Sequence, residues 1–332
     1  MMPVVDVHTH LGVPEAEALV AGTAGMAAEV AAEREGHSPA SLEMNAEQLR
    51  RLLPVIGDRD ARLATMAKMG VDIQVVAPMP MHHSWADRAL AAEYARAVNE
   101  GIATFCAALP DRFIGLGSVP LQHPDLAIDE LAHAVRLGLR GVSVSTTVAG
   151  RELADPAHEP FWAAAERSDV AVLIHPWGCS LGSRLATSYL GNVVGQPVET
   201  TVALSHIIFS GLLDRYPRLR LCACHGGGYL PTYAGRSDHA WRVRPDARTC
   251  QDPPSSYLRR IWFDSLVYTP AALEHLVAVA GSERVVLGTD YPWDMGVDDP
   301  VERVRAAALT DGQRLDILGR TAADLLRLAA VP

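Results

Sequence analysis

A chain of 332 residues with 49% apolar and 20% charged residues has material for a sizeable core and is not a disordered polymer. With 29 Lys and Arg against 39 Asp and Glu, the formal net charge is −10, and no basic block stands out, which argues against a nucleic-acid partner. No apolar run reaches the ~18 residues of a membrane span, no leader pattern opens the chain, and five cysteines without paired spacing argue against a disulfide framework, so a reducing, cytoplasmic setting is expected.

The first element is a β-branched run, Val4-Val5-Asp6-Val7-His8-Thr9-His10. Alternate residues of a strand share a face, so His8 and His10 point the same way. Residues 11–58 then interrupt the pattern. An Ala/Glu-rich amphipathic helix over 16–34, a turn at Gly36-His37-Ser38-Pro39 and a helix over 46–53 predict a helical insertion. It is a candidate lid over the strand end, with a peripheral hairpin as the alternative. From residue 59, strand and helix alternate. The pattern predicts a helix over 59–69, a strand over 72–78, a helix over 86–109, a strand over 113–119, a helix over 126–137, a strand over 139–147 and a helix over 159–167. The fifth strand runs from 170 to His175. A loop with several glycines (178–195) leads to a helix over 199–216 and a strand over 219–225 that ends on His225. A strand over 261–266, a helix over 270–280, a strand over 285–290 that ends on Asp290, and helices over 300–308 and 312–329 complete the chain. Eight strands separated by helices predict one α/β domain over 1–332, a (β/α)8 TIM barrel with a helical insertion after strand 1, rather than a doubly wound sheet. No Gly-rich phosphate fingerprint follows the first strand, so no organic cofactor is expected.

Four strands finish on His or Asp, and barrel active sites lie at strand C-terminal ends. His8, His10, His175 and Asp290 therefore compose a candidate site for one divalent metal, with zinc first and manganese or iron as alternatives. The strand over 139–147 carries neither Lys nor Glu, which favours one metal over two. His225, before Gly226-Gly227-Gly228, is a fourth ligand, an acid/base, or a histidine in a tight turn; the glycines would let backbone approach substrate. Cys222 and Cys224 read as buried strand residues. Arg62 and Arg236 are candidate carboxylate clamps, and Arg184 is a weaker one. Trp177, Tyr189 and Trp293 are candidate walls of an aromatic pocket. Asp264 reads as a supporting or structural group, and His82 and His83 as solvated loop histidines.

These residues resemble the amidohydrolase superfamily and, within it, the metal-dependent decarboxylases typified by α-amino-β-carboxymuconate-ε-semialdehyde decarboxylase. The motifs are Asp6-Val7-His8-Thr9-His10, Ile174-His175-Pro176-Trp177, His225-Gly226-Gly227-Gly228, Gly235-Arg236, Arg242-Val243-Arg244-Pro245-Asp246 and Leu287-Gly288-Thr289-Asp290-Tyr291-Pro292. The likeness covers roughly residues 1–10 and 59–330. It implies that His8, His10, His175 and Asp290 bind the metal and that His225 is the acid/base, with Asp290 a second candidate proton carrier. It implies that Arg62 and Arg236 hold a substrate carboxylate, the second across the interface of a homodimer. The insertion is longer and more helical than the family's, and Tyr189 and Asn192 stand where that decarboxylase carries tryptophans. The expected activity is carbon–carbon lyase chemistry: non-oxidative decarboxylation of a small unsaturated or aromatic carboxylic acid. The alternative is a metal-dependent hydrolase or hydratase acting on a lactone, amide or activated double bond. A barrel that binds metal without chemistry and serves assembly is a third reading, opposed by the intact set of strand-end groups.

Overall fold

The computed structural model describes residues 2–328. Its eight central strands are β1 (Val5–Leu11), β2 (Ile73–Pro78), β3 (Phe113–Gly115, resumed at Gly117–Ser118), β4 (Gly141–Val144), β5 (Ala171–Ile174), β6 (Arg220–Ala223), β7 (Trp262–Asp264) and β8 (Val285–Val286). Each pairs in parallel with the next in chain order. The sheet closes because Val7 N–H donates to Leu287 O, Asp290 N–H to His8 O and His10 N–H to Tyr291 O, each at 2.8 Å. This is the expected (β/α)8 barrel.

Two apolar layers follow from the alternation along the strands. Val5, Val7, Val75, Leu116, Leu173, Cys222, Cys224 and Val286 fill the barrel interior. Val76, Val142, Val172, Leu221 and Phe263 face outward, against Val98, Ile102, Leu131, Phe161 and Ile207 of the surrounding helices. Each such aliphatic side chain withdrawn from water contributes roughly 1.5–3 kcal/mol. The two cysteines thus serve as packing, as expected.

Several boundaries differ from the sequence reading. Strand pairing is shorter than predicted at 113–119, 139–147 and 285–290, since the chain flares into loops at the barrel top. Asp290 itself has φ +59°, which no strand accommodates. The predicted 16–34 helix is two, Pro14–Val20 and Ala24–Glu35. Gly22 turns the chain at φ +74°, and Thr23 Oγ1 restarts it by accepting from Met26 N at 3.2 Å. A third insertion helix, Pro39–Leu52, is capped by Ser38 with proline at its first position. The 199–216 helix breaks at Gly211 into Gln196–Phe209 and Leu212–Arg215. The 312–329 helix is Asp311–Leu315, a π turn over Asp316–Arg320 and Thr321–Leu325, with residue 329 outside the described residues. No helix among the described residues is long and apolar enough to cross a membrane.

Candidate metal centre and active site

Strict alternation would send His8 and His10 to the opposite face from Val5 and Val7. The pairing register of β1 instead shifts between Asp6 and Thr9. This irregularity reverses the parity, so Val5 and Val7 pack inside while the next imidazoles also face the barrel axis. Asp6, on the other face, anchors the shift. Its carboxylate accepts from Thr289 Oγ1 at 2.7 Å, Thr289 N at 3.1 Å and Gln74 Nε2 at 3.3 Å, tying β1 to the chain on both sides. Burial pushes this carboxyl up to about 6.

The structure brings His8, His10, His175 and Asp290 together, all buried, with one ligand atom of each within 4.8 Å of the others. Each imidazole is held through Nδ1. His10 Nδ1 lies 3.0 Å from Pro78 O and His175 Nδ1 lies 2.8 Å from Pro176 O. A carbonyl only accepts, so both Nδ1 atoms carry the proton and both Nε2 atoms present lone pairs. His175 Nε2 is buried with no partner. His10 Nε2 lies 3.1 Å from Asp290 Oδ1 and 3.3 Å from His8 Nε2. An orphaned nitrogen beside a second ring nitrogen and a carboxylate is a donor set suited to a divalent cation.

Desolvation lowers His175 well below its ordinary value and lowers His10, so both are neutral. Burial likewise opposes charge on His8, but Asp290 and Asp264 outweigh it and hold that imidazole above its ordinary value. Burial alone would raise the Asp290 carboxyl, yet His8, His10 and His225 keep it well below the usual carboxylate range.

Asp264, at the end of β7, links the site to its acid/base candidate. Its Oδ2 accepts from His8 Nδ1 at 2.7 Å and from His225 N at 2.9 Å, and its Oδ1 accepts from Gly226 N at 2.7 Å. One fully buried carboxylate thus orients a ligand and the turn that carries His225. A second gathering, His8, Cys224 and Asp264, is a consequence of this bond; burial raises the Cys224 thiol well above its ordinary value and keeps it uncharged. The strand alternation ends at Ala223, and His225, at φ +55°, turns its ring over the barrel top. Its Nε2 lies 3.7 Å from Asp290 Oδ2, and it lines the same cavity. The glycines after it are not reserved for substrate: a Cβ on Gly228 would stand 2.1 Å from Pro197 O.

The cavity holds about 340 Å³ between the strand ends and the insertion. Trp177, Tyr189 and Trp293 line it, with Asn192 beside them. Side chains of the helices Ala24–Glu35 and Pro39–Leu52 close the opposite side, so the insertion covers the site. Arg34 is the one Lys or Arg among the lining residues described, and nothing in its surroundings in sequence singles it out. The expectation of solvated His82 and His83 is corrected. His83 is buried with Nδ1 2.6 Å from Glu29 Oε2, which also accepts from Trp85 Nε1 at 2.8 Å, fastening the insertion to the loop after β2. Burial pushes His82 down to about 4.

The arginines are placed otherwise than expected. Arg62 is fully buried, and its guanidinium donates to Thr9 Oγ1 and Gln74 Oε1 at 3.2 Å each, to His10 O and to Ile56 O at 3.0 Å. It stacks 4.8 Å from the Tyr291 ring and does not line the cavity. The carboxylate-clamp reading of Arg62 is therefore corrected: its four terminal N–H groups are spent on the protein, and its Nε, buried without a partner, does not reach the cavity. Arg236 is exposed on the helix Leu230–Val243, and Arg184 is exposed in the loop after β5; neither lines the cavity of its own chain.

A (β/α)8 barrel whose strand tops gather three imidazoles and a carboxylate defines a metal-dependent barrel enzyme. Residues 5–328 match the amidohydrolase family, and the chain belongs to it. The chain is 33% identical over 329 residues to the 2-amino-3-carboxymuconate-6-semialdehyde decarboxylase of Dictyostelium discoideum, covering 98% of this chain and 91% of that protein. It is 32% identical over 297 residues to the gamma-resorcylate decarboxylase of Rhodococcus jostii strain RHA1, covering 84% and 89%. Its fold is similar to that of the 5-carboxyvanillate decarboxylase LigW of Sphingomonas paucimobilis, with TM-score 0.85, 26% identity and coverage of 99% and 100%. Within the family, the chain is a carboxy-lyase of the metal-dependent, non-oxidative decarboxylase group.

Proposed function

We propose that this enzyme removes CO2 from a small aromatic or unsaturated carboxylic acid bearing a neighbouring hydroxyl, amino or keto group. One divalent ion, zinc by first choice, is held by His8, His10, His175 and Asp290. The observation that carries the reading is the donor set itself, in which an orphaned buried His175 Nε2 faces Asp290 and His10 at the floor of an aromatic-walled cavity. When bound, the ion supplies a Lewis acid that neutralises and orients the substrate oxygens.

The carbon–carbon bond to the carboxylate breaks and its electron pair stays on the substrate carbon. The hydroxyl, amino or keto group, conjugated with that carbon, spreads its charge and lets it accept a proton in the carboxylate's place. His225 and Asp290 are the groups placed to hand over the proton that takes the carboxylate's place, since both face the cavity and lie 3.7 Å apart. Trp177, Tyr189 and Trp293 provide flat apolar surface that sheds water from the leaving carboxylate. Tyr189 is itself tethered, its hydroxyl donating to Asp294 at 3.3 Å. Arg236 contributes to the site of a partner subunit in a homodimer, consistent with its exposure and with its lack of a bonding partner among the described residues of its own chain.

The test is to screen hydroxybenzoates, aminobenzoates and carboxymuconate-type acids for CO2 release in deuterated water. The expected product carries deuterium at the vacated carbon. A product that keeps its carboxylate and gains the elements of water would move the enzyme to the hydrolase or hydratase reading.

A further inference from the structure

The opposite end of the barrel holds a second cavity, of about 410 Å³. Arg220 and Trp262 open β6 and β7, and Arg284 immediately precedes β8, so this cavity lies at the strand N-termini, away from the metal centre. Six arginines line it: Arg167, Arg218, Arg220, Arg260, Arg284 and Arg327. In a chain of net charge −10, such a local concentration of cations calls for an explanation.

Pairing within the chain accounts for only part of it. Arg218 meets Glu166 at 3.1 Å, Arg327 meets Asp169 at 2.8 Å, Arg220 meets Asp324 at 3.3 Å and Arg260 lies 3.6 Å from Asp214. Arg284 donates through Nε to Arg259 O at 2.8 Å, and its one carboxylate contact among the described residues is Asp324, at 4.0 Å and already shared. Arg167 is exposed and has no hydrogen-bond or ion-pair partner among the described residues. Six guanidiniums against these four carboxylates leave two positive charges in excess around an open volume. The base of the cavity is Trp262, with the Arg284 guanidinium 4.0 Å and that of Arg220 4.9 Å from its ring. Its indole N–H is buried without an acceptor.

We propose that this cavity binds a diphosphate group, free or carried on a small ester. Guanidinium forks match phosphate oxygens in pairs, and two excess cations suit an anion of at least two charges. Guanidiniums already flank the Trp262 ring, so it offers no platform on which a nucleobase could stack. The site reads the phosphates alone, and inorganic pyrophosphate and adenosine diphosphate bind it alike.

Calorimetric titration of the full-length, metal-loaded enzyme at low salt tests this. Inorganic pyrophosphate should bind saturably at one site per chain, and adenosine diphosphate with closely similar affinity. Arg167→Glu, at an exposed side chain with no partner, should weaken pyrophosphate about tenfold without unfolding the protein. Arg284→Gln, at the base, should weaken it at least as much, whereas Arg51→Gln, exposed on the insertion helix Pro39–Leu52 at the other end of the barrel, should leave it unchanged. Absence of saturable pyrophosphate binding would overturn the proposal. So would an affinity undiminished in Arg167→Glu and Arg284→Gln, which would assign the heat to the metal centre, or binding of adenosine diphosphate alone.

Discussion

At the scale of single residues, the metal centre depends on which nitrogen of each histidine carries its proton. His10 and His175 give that proton to backbone carbonyls and His8 gives it to Asp264, so each ring turns Nε2 towards the others. Protein purified without added metal should therefore contain about one equivalent of divalent ion by elemental analysis. His10→Ala should lose both the ion and turnover; full activity in a metal-free preparation would sink this assignment. His225 stands 3.7 Å from Asp290 and outside the cluster of ligand atoms. His225→Asn should keep the ion and lose turnover on the order of 10²-fold or more, and a variant that loses the metal too would make His225 a ligand instead. Asp264 is a positioning residue that reaches the ion only through His8. Asp264→Asn should weaken metal affinity roughly 10–100-fold, with turnover recovering in part as ion is added in excess. A variant of unchanged metal affinity would detach Asp264 from the centre. Arg62 belongs to the fold: Arg62→Met should lower stability by about 3 kcal/mol in urea unfolding, since it strips the His10 and Ile56 carbonyls of a donor.

At the scale of elements, the strand ends carry the function because the backbone there abandons the extended conformation. Asp290 at φ +59° and His225 at φ +55° could not hold those positions within a paired strand. The turn after His225 shows how closely the elements approach. Gly228 has φ +64°, and an added Cβ would meet the Pro197 carbonyl oxygen at 2.1 Å. Gly228→Ala should therefore destabilise the protein by roughly 2–4 kcal/mol, read as a lowered unfolding midpoint; an unchanged midpoint would mean the turn relaxes freely. The first insertion helices were legible in the alanines and charges of 16–34, whereas the third, for which the sequence predicts a turn at 36–39 and a helix over 46–53, in fact starts at Pro39, capped by Ser38. The break at Gly22 and the fastening through Glu29 to His83 were not legible, since Glu29 and His83 stand 54 residues apart and nothing local marks them as partners.

At the scale of the whole molecule, the role proposed for exposed Arg236 requires a second chain. Sedimentation should find a homodimer. Mixing and reassembling His225→Asn subunits with Arg236→Ala subunits should restore activity, because one of the two sites in the mixed dimer receives an intact set. No recovery from two such variants, each properly folded and dimeric, would remove Arg236 from the partner's site. The amino-acid sequence alone determined the alternation of eight strands and their helices, and the four strand-end groups His8, His10, His175 and Asp290. Hydrophobic period and residue type are local properties, and barrel topology carries strand ends to one face whatever the details. Only the tertiary structure decided the rest. It reversed the parity of β1 by a register shift, made Asp264 the joint between His8 and His225, buried Arg62 beneath the site and gathered six arginines at the far end of the barrel. Each of these depends on groups that the closed sheet brings together from distant parts of the chain, where sequence separation says nothing about distance in space.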